Sequence, residues 1–192
     1  MKAASHISTL DNSKASPAGK LVSASRWSHN RPMTDTAAPT RSAAGFDLTP
    51  PAPDQLKQLE AGLSQEEKDV LLHHGTEAPF CGGLLNNKTD GVYCCRLCGL
   101  PLFRAQTKFE SGTGWPSFYA PLDEAHVRAI KDTSYGMVRI ETRCARCDSH
   151  QGHVFPDGPA PTRLRYCINS VSLSFVADGQ PLPDPLHRGD HF

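Results

Sequence analysis

Val92-Tyr93-Cys94-Cys95-Arg96-Leu97-Cys98-Gly99 is a short β-prone run that feeds directly into a Cys-x-x-Cys pair, and Gly136–Arg143 does the same ahead of Cys144-Ala145-Arg146-Cys147-Asp148. Valine, tyrosine and isoleucine suit a pleated, half-buried surface, so each run predicts a strand. Each Cys-x-x-Cys is the span of a tight knuckle that aims two sulfurs at one ion. Four soft ligands in a tetrahedron select zinc, and Cys95, Cys98, Cys144 and Cys147 are the predicted ligands of one Zn2+. The competing reading is a pair of thioredoxin-type dithiols. Neither pair opens a helix after a strand, however, and both adjoin small or turn-forming residues that suit knuckles. With every ligand position taken by sulfur the site is closed and structural. Binding energy of about 10–16 kcal/mol in small zinc modules becomes folding energy, so the metal is expected to tie the strand after Gly91 to the one ending at Arg143.

Outward from this pair the texture repeats. Lys108–Glu110, Ser117–Tyr119, Val127–Lys131, Leu164–Ile168 and Ser172–Val176 are short aromatic or β-branched runs broken by Gly, Pro and Asn-Asn, the pattern of an antiparallel β domain. Before them, Leu56, Leu59 and Leu63 recur at helical spacing, and Ser64-Gln65-Glu66-Glu67 forms a capping box ahead of Val70, Leu71 and Leu72. Two short helices ending near Gly75 follow. Residues 1–52, rich in Ser, Ala, Thr and Pro, are expected to be a disordered extension, and 178–192, with Pro181, Pro183 and Pro185, an irregular tail. The catalytic domain is thereby placed at 53–177.

Lys plus Arg and Asp plus Glu both count 20, so there is no broad basic field to attract nucleic acid or anionic lipid. No stretch approaches the roughly 20 apolar residues that cross a bilayer, and the N-terminus lacks a secretory apolar core. A soluble cytoplasmic monomer is expected. The first 32 residues carry Lys2, Lys14, Lys20, Arg26 and Arg31 against the single acid Asp11, which leaves organelle targeting as the alternative. A vector-derived leader, or residues upstream of a start at Met33, would explain the same composition.

Seven cysteines leave three beyond the knuckles: Cys81, Cys94 and Cys167. Cys167 alone has histidine, asparagine and arginine motifs around it, the polar and partly positive setting that lowers a thiol pKa of about 8.5. It is the candidate nucleophile, although Tyr166-Cys167-Ile168 on its own also reads as a small buried core residue. The stretches Ser111–Phe118, His150–Gly158 and Arg165–Ser170, with both Cys-x-x-Cys pairs in the same order, strongly resemble methionine sulfoxide reductase B. The similarity runs from about Gly75 to Phe175.

That resemblance implies two antiparallel sheets forming an open barrel-like core, with short N-terminal helices and a structural zinc site. It implies an oxidoreductase that reduces the R epimer of methionine sulfoxide, free or in oxidised proteins, for repair and oxidative stress defence. Cys167 would attack sulfur, His150 and His153 would supply protons, Asp157 would orient His153, and Asn169 would position polar groups near Cys167. Trp115, between Gly114 and Pro116, would hold the substrate methyl through sulfur–aromatic contact. A sulfenic acid on Cys167 would condense with a second thiol to give a disulfide that thioredoxin reduces.

Many family members carry the resolving cysteine at the position of Thr113, so this chain departs from that pattern. Cys94 adjoins a metal ligand and is expected to be pinned and buried, whereas Cys81 precedes Gly82 and Gly83, which allow movement; Cys81 is the candidate. Arg163 stands where glycine is common and Gln151 where an aliphatic residue is common, and either is expected to modify pocket access or substrate range. Two rival readings remain at this level. A zinc-ribbon binding module would lose no thiol on meeting substrate, and a peroxide or disulfide reductase would not need Trp115.

Overall fold

The computed structural model describes residues 40–191. The basic leader and the start at Met33 fall outside these described residues.

Pro53 at the first helical position opens α1 (Pro53–Ala61), and Ser64 caps α2 (Gln65–Leu71). The predicted capping box is present: Glu67 N–H donates to Ser64 Oγ at 3.2 Å, and Ser64 N–H donates to the Glu67 carboxylate at 2.7 Å. Nine strands follow: β1 (Gly91–Cys95), β2 (Pro101–Arg104), β3 (Lys108–Phe109), β4 (Ser117–Phe118), β5 (Val127–Asp132), β6 (Arg139–Cys144), β7 (His150–Phe155), β8 (Arg165–Ile168) and β9 (Leu173–Ala177). They form two antiparallel sheets, in the orders β2-β1-β9 and β3-β4-β8-β7-β6-β5. The larger sheet has free edges at β3 and β5 and so stays open. No helix among the described residues is long and apolar enough to cross a membrane.

Each β-prone run read from the sequence is a strand, but β2 and β7 are additional. β2 begins with Pro101, which lacks a ladder donor and is tolerated only at a strand's start or at an irregularity; the β1–β2 register shifts beside it, between Tyr93 and Cys94. β7 looks like a loop because it carries Gly152 between two histidines. Gly152 is there for proximity: a Cβ on it would lie 2.0 Å from the Cys167 carbonyl oxygen on β8.

The two sheets face each other across an aromatic core. Tyr93 and Phe103 come from the small sheet, Phe118 and Tyr166 from the large one. Phe103 and Phe118 are fully buried and stack at 4.4 Å between ring centroids with planes 14° apart. Tyr93 meets the edge of Phe118 at 5.0 Å. Residues 40–52, grouped by composition with the extension, lie against this core: Phe46 and Leu48 are buried, and Ser42 Oγ is 2.8 Å from His126 Nε2. Two apolar side chains inside a polar segment are enough to seat it.

The segments around Asp47 and Asp190 meet at Arg146, the largest fully buried side chain among the described residues. Its guanidinium donates to the Asp47 carbonyl at 2.7 Å and the Cys98 carbonyl at 3.2 Å, and pairs with Asp190 at 2.7 Å. A buried guanidinium needs such partners, since an unpaired buried charge is strongly destabilising. The tail is irregular in backbone, yet Leu186 and the carboxylate side chain of Asp190 are buried.

Phe103→Ala removes the ring that joins the sheets and should cost about 3–5 kcal/mol. Urea denaturation would show this as a lower midpoint with an unchanged slope.

Candidate active site and metal centre

Period-two alternation sorts the large sheet into two faces. Along β8, Tyr166 and Ile168 are buried in the core while Arg165 and Cys167 are half-buried on the other face. Pairing then builds a row. Cys167 lies opposite Ser117 on β4 and His153 on β7, and His153 lies opposite Glu141 on β6. Directly opposed residues share a face, so thiol, hydroxyl, imidazole and carboxylate line one surface of four adjacent strands.

The Cys167 sulfur is 3.8 Å from Thr113 Oγ1, and Ser111 Oγ links Thr113 to Ser117 at 2.8 and 2.7 Å. Burial pushes the Cys167 thiol up, while the Thr113 hydroxyl and the Arg165 guanidinium pull it down. The balance is a raised thiol, against the lowered one expected from its motifs, because the strand half-buries a residue that the sequence shows only beside polar neighbours. Thr113 sits where many family members carry a second cysteine, which accounts for that pattern geometrically.

The acid groups are distributed differently from the sequence expectation. Asp157 does not orient His153; both of its oxygens accept from Arg165 at 2.9 Å, and Arg165 stacks on Phe155 at 4.5 Å. The carboxylate on His153 is Asp132, at 2.8 Å from Nε2. Asp132 also accepts from Ser134 N–H at 2.8 Å and Arg139 at 2.7 Å, and Ser134, then His153 and Arg139, hold its carboxyl far below the usual range. His150, 2% exposed, places Nδ1 2.6 Å from Glu141 Oε1. Burial lowers its proton affinity and Glu141 opposes that. Burial resists ionisation of Glu141, but Arg143, His150 and His74 hold its carboxyl down at about 2.

Asn169, 3% exposed, ties three segments together. Its carbonyl accepts from Glu77 N–H at 3.1 Å and its amide donates to the Gln151 carbonyl at 3.1 Å. Glu77, a buried acid the sequence reading did not single out, accepts from Ser170 N–H at 2.6 Å and Val171 N–H at 3.0 Å, fixing the turn after β8. Trp115 donates its indole N–H to the Glu77 carbonyl at 3.2 Å, so the ring is anchored beside this turn.

Cys81 is exposed. Its neighbours are pinned: Phe80 N–H donates to the Gly114 carbonyl at 2.8 Å, and a Cβ on Gly82 would meet Ser170 Oγ at 2.0 Å. Gly82 therefore serves close packing, whereas an added Cβ at Gly83 would meet nothing within 4 Å. Cys94 is fully buried, and burial raises its thiol to about 12.

At the metal centre, Cys95 and Cys147 sulfurs are 3.6 Å apart, as are those of Cys98 and Cys144, and the four lie within 4.8 Å of one another. A tetrahedron of Zn–S bonds near 2.3 Å places its sulfurs about 3.8 Å apart, so the set fits a four-thiolate ion. Cys95 closes β1 in one sheet and Cys144 closes β6 in the other. Ser149 Oγ approaches Cys147 at 3.2 Å and Cys95 at 3.4 Å, and Gln151 Nε2 lies 3.7 Å from Cys95. Gln151 thus faces the sulfur cluster rather than governing pocket access. Arg163 has φ 63, the left-handed region, which explains why glycine is common there.

Residues 63–177 match the SelR domain family. A Caulobacter vibrioides protein named peptide methionine sulfoxide reductase MsrB is 77% identical over 158 residues, covering 82% of this chain and 98% of its own length. Proteins of the same name from Xylella fastidiosa and Escherichia coli are 62% identical over 146 residues and 58% over 124. They cover 76% and 65% of this chain, and 94% and 90% of their own lengths.

Glu141 titrates lower folded than unfolded, so its stabilisation is complete above the unfolded value of about 4.3 and is lost as pH falls through about 2. Glu141→Gln should flatten that acid limb, read as urea midpoint against pH.

Proposed function

The chain belongs to the SelR family of peptide methionine sulfoxide reductases, the MsrB enzymes, and we propose that it reduces the R epimer of methionine sulfoxide by attack of the Cys167 sulfur. The observation that carries this assignment of roles is the cross-strand row of Ser117, Cys167 and His153, with a hydroxyl on the thiol and a carboxylate on each neighbouring imidazole. The enzyme is an oxidoreductase that repairs oxidised methionine.

Thr113 and Arg165 favour the anionic sulfur against the burial that opposes it, so the thiolate forms where a donor is ready to receive its charge. The substrate sulfur takes electrons from Cys167, and its oxygen must be protonated as the S–O bond breaks. His153, held by Asp132, and His150, held by Glu141, are the proton sources. Trp115 supports the substrate methyl by sulfur–aromatic contact. Asp157 acts through Arg165, which it fixes with two hydrogen bonds. Asn169 and Glu77 hold the turn that carries the thiol. In the net step oxygen passes from the substrate sulfur to Cys167, giving methionine and a sulfenic acid; the thiol proton ends on the sulfenic oxygen.

Cys81 then attacks the sulfenic sulfur, releasing water and forming a disulfide, which thioredoxin reduces by exchange. Its exposure and the anchoring of Phe80 and Gly82 beside Gly114 and Ser170 support it over the buried Cys94. The four-thiolate ion is zinc, as the donor set favours; when bound it supplies a structural clamp with no open position. A monomer in the cytoplasm, where reductants keep thiols reduced, completes this reading.

Cys167→Ser should abolish reduction of the R epimer while the wild type leaves the S epimer untouched; equal turnover by the variant would end the proposal. Cys81→Ser should form no intramolecular disulfide on substrate addition, and Thr113→Cys in that background should restore one, given the 3.8 Å approach to Cys167. Both are read by thiol counting and peptide mapping. A disulfide that persists in Cys81→Ser alone removes Cys81 from the cycle.

A further inference from the structure

His74 lies between α2 and β1, and nothing in the proposed reaction uses it. We propose that His74 is a positioning residue for this reaction, which competes with His150 for one oxygen of the buried Glu141 and so governs how firmly the pocket imidazole is held.

The competition is geometric. His74 Nδ1 lies 2.8 Å from Glu141 Oε1, and His150 Nδ1 lies 2.6 Å from the same oxygen. The other carboxylate oxygen accepts from Arg143 at 2.8 Å, and both rings lie on Oε1. The two imidazoles meet edge to face at 5.6 Å between centroids. His74 is half-exposed while Glu141 and His150 are buried, so the trio runs from solvent to the reactive face. His74 has φ 58, in the left-handed region where histidine, like asparagine and aspartate, is enriched, and this turn leads the chain out of α2, with Gly75 N–H donating to the Asp69 carbonyl at 3.0 Å.

The consequence reaches the pocket through the ring's far nitrogen. With Nδ1 donating to Glu141, neutral His150 leaves Nε2 bare, and that atom is buried without a protein partner, beside the His153 ring at 5.5 Å. Only in protonated His150 does Nε2 carry the hydrogen that a bound sulfoxide oxygen would accept. Protonated His150 leans on Glu141, and a protonated His74 draws on the same charge, so the surface ring weakens the grip on the inner one. The other ionisable groups around the trio are already paired. Arg143 bridges to Asp148 at 3.0 Å, His153 to Asp132, and at the end of α2 His73 faces Asp69 at 3.6 Å.

This inference rests on His150 belonging to the reactive pocket, and the test separates the two. His74→Asn suits the left-handed backbone while withdrawing the ring. In a Cys167→Ser background, which cannot turn over, the His150 imidazole is titrated by 15N–1H NMR with and without His74→Asn. Its midpoint should rise by about half a pH unit when His74 is gone. With Cys167 present, the low-pH limb of single-turnover thiol loss on R-methionine sulfoxide should move by the same amount. His74→Gln, which keeps a donor without a titrating charge, should give a smaller shift and carries the test if the asparagine variant folds poorly. An unmoved His150 midpoint overturns the competition whether or not the protein reduces sulfoxide. A moved midpoint with an unmoved rate limb overturns its bearing on the reaction.

Discussion

Four sulfurs at the ends of two strands from different sheets are the constraint on which the rest of this molecule depends. The strands are short and the two sheets share no ladder, so their relative placement rests on the aromatic core and on the cluster that joins Cys95 to Cys144. The cluster's influence extends into β7. Ser149 and Gln151 turn their polar groups toward the sulfurs, and the residues interleaved with and following them are His150, Gly152 and His153. A thiolate site that looks remote from the chemistry therefore fixes the register of the strand that delivers the imidazoles.

Burial at the Cys167 thiol works against its ionisation, and local donors oppose that burial. Thr113, Ser117 and Arg165 each favour the anion by a modest amount. The thiolate is the nucleophile of any thiol chemistry, so this balance of burial against donors bears directly on Cys167. The carboxylates follow the opposite logic. Asp132 and Glu141 are surrounded by donors that hold their carboxyls in the charged form, and each anchors an imidazole.

What was legible in the sequence was what local spacing encodes. The two Cys-x-x-Cys pairs, the Ser64–Glu67 capping box and the β-branched runs all declare themselves within a few residues. The strand His150–Phe155 did not, because the glycine that lets it approach β8 reads as a loop signal. The partners of the histidines were hidden for a different reason. Asp132 is 21 residues from His153 in sequence, and His74 is 67 from Glu141, so only strand register brings them together. Asp157, four residues from His153, was the natural choice from proximity along the chain, yet strand geometry turns it toward Arg165 on the neighbouring β8. Long-range electrostatic pairs are the part of an active site that composition and spacing conceal.

Arg146 has one more consequence. Because it grips the backbone at Asp47 and the side chain of Asp190, two segments far apart in sequence converge on a single guanidinium within a Cys-x-x-Cys knuckle. A tensile force pulling those two segments apart would therefore load the guanidinium and the knuckle that carries it.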